Sequence, residues 1–177
     1  MSKNHLPFHI KVGLPSWLWK RTTLQAFVLA VFVFYKKEDG MGDDLLVHEL
    51  IHVQQFYKEP FAIAFKYVFS KEHRLRYESE AYAKQLLYIL SKTQDITIFT
   101  EISATRDYLH YFKQFSSIIH ESYNLDCNII KCEYALTMAV DRAIAEVNEN
   151  AFYADKPGCF FCTTGTNDYL KPVTSST

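Results

Sequence analysis

The chain has 177 residues, of which 49% are hydrophobic, 16% aromatic and only 22% charged. That composition suits one globular domain with one sizeable core and excludes a disordered chain. Nineteen basic residues against twenty acidic ones leave a net charge of −1, which gives no electrostatic footprint for a polyanion and argues against nucleic acid as a partner.

Residues 1–21 read as irregular, with Pro7, Gly13 and Pro15 as breakers. The stretch MSKNHLPFHIKVGLPSWLWKRTT is too long and too broken for a signal n-region, so a cytoplasmic protein is expected. Trp17, Trp19, Lys20 and Arg21 form an aromatic-basic segment through which a peripheral membrane contact is a minor alternative. Residues 22–36, TTLQAFVLAVFVFYK, are rich in β-branched and aromatic side chains. They predict one long strand or a close strand pair, buried on both faces. The apolar part, Leu24 to Tyr35, is interrupted by Gln25 and falls short of the roughly 20 residues that span a bilayer.

The run KKEDGMGDD ends the strand region, and Asp43 or Asp44 is expected to cap a helix over Leu45–Tyr57. On that helix Leu46, Leu50, Val53 and Tyr57 form one stripe, while His48, His52 and Gln55 lie opposite. Glu59-Pro60 ends it. A short helix is expected in Phe61–Phe69, a charged loop or helix entry in SKEHRLR, and a strong helix over Tyr77–Leu90. Two more helices are expected near 101–122 and 129–150, followed by an irregular tail.

The segment His48-Glu49-Leu50-Ile51-His52 is an H-E-x-x-H motif on a predicted helix. Two histidines at i and i+4 share one face, so both imidazoles can reach one ion, and Zn2+ accepts such nitrogen ligands. Glu49, one residue on, lies beside that ion rather than on it. A carboxylate there can take a proton from an activated water and return it to a leaving amine, which makes Glu49 the candidate catalytic base. A catalytic zinc takes three protein ligands and leaves one position open. HVQQFYKEP lacks the Gly and His of the longer H-E-x-x-H-x-x-G-x-x-H pattern, so a carboxylate from a second helix is expected instead. Glu78 lies at the edge of the apolar face with Tyr82 and Ile89, whereas Glu80 lies with Lys84, to which an i,i+4 pair would tie it at the surface. Glu78 is therefore favoured as third ligand, with Glu80 as the alternative. Tyr57, His73, Arg74, Arg76, Tyr77 and Tyr82 lie near these motifs, and none is assigned a role.

HELIHVQQF followed by YESEAY resembles the gluzincin metallopeptidases, in which two His of H-E-x-x-H and a Glu from a later helix hold zinc. It is particularly similar to small bacterial and phage-type members with an HE-x-x-HV-x-Q helix and an E-x-E-A helix. The resemblance covers roughly residues 14–90. It implies a zinc-dependent hydrolase, acting as a peptidase on peptide or protein substrates, with metal ligands His48, His52 and Glu78 and catalytic Glu49. In related gluzincins the third ligand begins an E-x-x-x-D pattern whose Asp orients a ligand His. Tyr82 stands at that position here, so a different group must orient His48 or His52. The alternative function is a zinc-binding structural or interaction protein that cleaves nothing. The expected fold is α+β and mainly helical, a zincin-like active-site helix packed on a second ligand helix, with a small β element near the N-terminus. One domain is expected over 1–177, with the metal-binding core at 14–90, a helical extension at 95–154 and an irregular tail at 155–177.

Cys127, Cys132, Cys159 and Cys162 lie late in the chain. They are compatible with a four-thiolate structural zinc site, with disulfides, or with free thiols, the last favoured. The i, i+5 spacing of the first pair is poor for one helical face.

Overall fold

The apolar run at 22–36 does not form one strand. In the computed structural model, which describes residues 8–19, 26–93, 106–123, 125 and 127–152, it makes a hairpin of β2 (Ala26–Leu29) and β3 (Phe32–Lys36). Leu29 pairs with Phe32, so the loop is the dipeptide Ala30-Val31. Ala30 adopts φ 56°, the positive φ that tight hairpin turns require. Residues 1–21 are not wholly irregular either. β1 (Ile10–Leu14) pairs parallel with β3, giving the order β1-β3-β2, and a short 3-10 turn follows at Ser16–Trp19.

The sheet is buried on one face only, a correction to the two-sided burial expected. Val33 and Ala26 point inward, with α1 (Asp43–Lys58) packed against β2 and β3. The register places Ile10, Val12, Phe27, Leu29, Phe32 and Phe34 together on the other face. There Phe27 stacks on Phe34 with centroids 4.9 Å apart, and Leu29 is 64% exposed.

Four helices follow α1: α2 (Ala62–Phe69), α3 (Lys71–Thr93), α4 (Arg106–Ser122) and α5 (Ile129–Phe152). The fold is thus mainly helical α+β with a small N-terminal sheet, as expected. The charged segment SKEHRLR opens α3 rather than forming a loop. α3 packs against α1, α2, α4 and α5, which explains why its burial runs almost all round from Leu75 to Leu90. Leu86, Leu90, Ile119 and Leu136 are fully buried in one cluster shared by α3, α4 and α5. α2 buries Ile63 and leaves Phe61, Phe65, Val68 and Phe69 exposed on its outer side. Trp17 is exposed, while Lys20, Arg21, Cys159, Cys162 and the tail 155–177 lie outside the described residues. Among the described residues no helix is long and apolar enough to cross a membrane.

Candidate metal centre

α1 begins without a side-chain cap. Gly42 is its N-cap, and Asp43 and Asp44 occupy the first turn, where negative charge opposes the helix dipole favourably. Both carboxylates face α3 instead, accepting from Tyr88 Oη (3.4 Å) and Gln85 Nε2 (3.1 Å). These contacts bring the α1 face opposite the Leu46, Leu50 and Val53 stripe against α3. That face is buried rather than solvated: His48, Glu49 and Gln55 are each under 5% exposed. Tyr57, expected within the apolar stripe, is 49% exposed, and its hydroxyl donates to Phe8 O.

His48, His52 and Glu78 converge in this interface. The two Nε2 atoms lie 3.2 Å apart. Glu78 Oε2 is 3.6 Å from His48 Nε2, and Glu78 Oε1 is 3.6 Å from His52 Nε2. Ligands on a tetrahedral ion with bonds of about 2.0–2.2 Å sit about 3.3–3.6 Å apart, so these separations are close to those around one small cation, the two Glu78 distances being to different oxygens. Glu78 is 1% exposed, and its Oε2 has no hydrogen-bond donor. A buried carboxylate whose bare oxygen faces His48 Nε2 and whose other oxygen faces His52 Nε2 belongs to a donor set that a divalent cation could satisfy. Among the described residues no fourth His, Cys, Asp or Glu joins the group.

Glu80 stays outside it. It accepts from Gln55 Nε2 at 2.9 Å and lies 3.8 Å from Lys58 Nζ. The expected pairing with Lys84 gives way to these partners, because Lys84 turns to Glu146 on α5.

Electrostatics tie the three side chains together. Burial pulls the pKa of His52 down, but the Glu78 carboxylate, with smaller help from Glu49 and Gln55, outweighs it and holds His52 at about 9. Burial alone would raise Glu78. The adjacent His52 and His48 hold it well below the usual carboxylate range instead. Glu49 shifts upward because burial outweighs the opposing pull of His48 and His52.

Two neighbours went unassigned in the sequence. Gln55 Oε1 lies 2.9 Å from His52 Nδ1, while Gln55 Nε2 donates to Tyr77 O and to Glu80 Oε2. With both amide protons committed, the oxygen must face His52, so Nδ1 is the donor there and Nε2 points at the cluster. Gln55 is therefore the group that orients the His52 ring. The second neighbour is Tyr67 on α2, whose hydroxyl donates to Glu78 Oε1. Burial, then the charge of Glu78, pushes this phenol far above its ordinary range and keeps it a donor. One usable signal exists for these two, the i, i+3 spacing of His52 and Gln55; none marks Tyr67.

Of the six unassigned residues near the motifs, Tyr82 packs its ring on a member of the triad. Its ring meets His48 edge-on at 4.3 Å, and its hydroxyl lies 3.4 Å from that of Tyr123. Arg74 donates to Tyr67 O and Val68 O, satisfying carbonyls at the end of α2, and to Tyr123 O beyond α4. His73 bonds Ser70, Arg76 lies over the Tyr77 ring, and Tyr77 donates to Glu59. Gln55 and Glu80 also line a cleft of about 220 Å³ with Arg76 and Arg142, and the triad does not. No protein-family model, curated protein or solved structure matches the chain.

Proposed function

We propose that the protein is a zinc-dependent hydrolase of gluzincin type, a peptidase acting on peptide or protein substrates. The observation that carries this reading is the convergence of His48 Nε2, His52 Nε2 and the Glu78 carboxylate with no fourth protein ligand among the described residues. Three ligands and a free position are the arrangement of catalytic rather than structural zinc sites. Zinc held there by His48, His52 and Glu78 would supply a Lewis acid.

The chain's own groups do the rest. Glu49 takes a proton from the attacking water and returns it to the leaving amine, and its upward-shifted pKa suits both steps. Gln55 holds the His52 tautomer, and Tyr67 holds Glu78. The direct test is hydrolysis of a mixed peptide library by zinc-loaded wild type and Glu49→Gln. The variant should retain zinc and lose roughly 100-fold or more of the rate. Undiminished cleavage by the variant would refute the role of Glu49.

A second reading is a metal-stabilised structural or binding protein. The depth of the cluster favours it, since Glu78 is 1% and Glu49 4% exposed. In that case the ion joins α1 to α3, and zinc-loaded wild type cleaves nothing in the library.

A further inference from the structure

The i, i+5 spacing of Cys127 and Cys132 is poor for two residues within one helix, yet their sulfurs lie 3.0 Å apart. The reason is that only Cys132 is helical. α5 starts at Ile129, and Asn128 precedes it as the cap, with Oδ1 accepting from Lys131 N at 2.9 Å and its carbonyl from Cys132 N at 3.4 Å. Cys127 therefore sits just before the cap and Cys132 at the fourth helical position. These are the two positions at which apolar side chains meet across a helix start. The cap fixes the backbone on both sides of the pair. Cys132 is fully buried and Cys127 half-buried, so one sulfur is anchored and the other is reachable.

We infer that Cys127 and Cys132 are a redox site, forming a reversible disulfide across the start of α5 with a small-molecule disulfide as oxidant. Cys127, as thiolate, attacks one sulfur of the oxidant and expels the first thiol. Cys132 then gives up its proton to solvent, attacks the Cys127 sulfur of the mixed disulfide and expels the second thiol. The two cysteines lose two electrons together, and the external disulfide is reduced to two thiols. Burial holds the Cys132 thiol up at about 12, so its attack is the slow step, with proximity to Cys127 compensating for a small thiolate fraction. The closed bond ties Cys127, at the end of the connection from α4, to the first turns of α5. Tyr123 lies in that connection, and its hydroxyl meets Tyr82, which packs on His48.

The test uses the full chain in oxidised glutathione, with free thiols trapped by alkylation before tryptic digestion. Lys131 lies between the cysteines, so cleavage after it separates them into two peptides that stay joined only by the disulfide. The expected result is the joined pair, released by reduced glutathione. Cys132→Ser should stop at Cys127 carrying glutathione, and Cys127→Ser should leave Cys132 alkylatable. Wild type that stops at a Cys127–glutathione adduct, that leaves both thiols reduced, or that joins Cys127 to Cys159 or Cys162 overturns the inference. A Cys159→Ser/Cys162→Ser background should give the same joined pair, and its loss there counts against the site equally.

Discussion

Gln55 and His52 form one unit: the Gln55 amide oxygen lies 2.9 Å from His52 Nδ1, and both Gln55 amide protons are spent elsewhere, on Tyr77 O and Glu80 Oε2. An amide so committed cannot flip without losing hydrogen bonds, so it fixes which imidazole nitrogen faces Glu78 and His48. Replacing Gln55 by Leu should weaken zinc binding by about 10–100-fold. A competitive chelator titration checks this. A melting curve run alongside separates lost ligand orientation from lost folding.

Tyr67→Phe keeps the ring and deletes only the hydroxyl that donates to Glu78 Oε1. Loss of a hydrogen bond to a buried charge should cost about 1.5–3 kcal/mol in the metal-free protein. Urea unfolding in chelator measures it. The cost should shrink in saturating zinc, because the ion then satisfies the carboxylate.

Arg74 acts at a distance from the ligands. It holds three carbonyls, two of them at the end of α2, which carries Tyr67. Arg74→Ala should destabilise the fold by about 2–3 kcal/mol. Arg74→Lys should recover only part of this, since one ammonium cannot replace the planar fork. Both are measured by chemical denaturation.

In the proposed site, zinc and protons would compete for His52. Without zinc its pKa is raised from 6.5 to about 9. That protonation stabilises the metal-free fold fully below 6.5, and the contribution is lost as pH rises through about 9. Zinc must displace the same proton, so affinity should rise up to about tenfold per pH unit from 6.5 to about 9 and then level off. Calorimetric titrations in buffers of different ionisation enthalpy should show proton release on binding. Affinity that is flat across this window would show that His52 is not protonated in the free site.

The sequence reveals those parts of the site whose geometry is local. His48 and His52 meet because i and i+4 share a helix face, and α1 is bounded by turn residues on one side and Pro60 on the other. The choice of Glu78 over Glu80 follows from helical phase within α3. Partners brought together by tertiary packing leave no such trace: Tyr67 reaches Glu78 from a different helix, and Gln55 reaches Glu80 across the α1–α3 interface. β1 escapes for a related reason. Its pairing with β3 is parallel and long-range, and Gly13 and Pro15 give it the local signature of a loop. The hairpin turn is hidden because Ala30, rather than Gly or Asn, takes the positive φ.

The identity of the carboxylate that completes the cluster decides between Glu78 and Glu80. Zinc content per chain, measured after dialysis on wild type, Glu78→Ala and Glu80→Ala, tests it. Wild type and Glu80→Ala should each retain about one zinc, and Glu78→Ala should retain almost none, as for a three-ligand site that loses one ligand. Equal zinc in all three proteins, or loss only in Glu80→Ala, would contradict the assignment of His48, His52 and Glu78 as the metal centre.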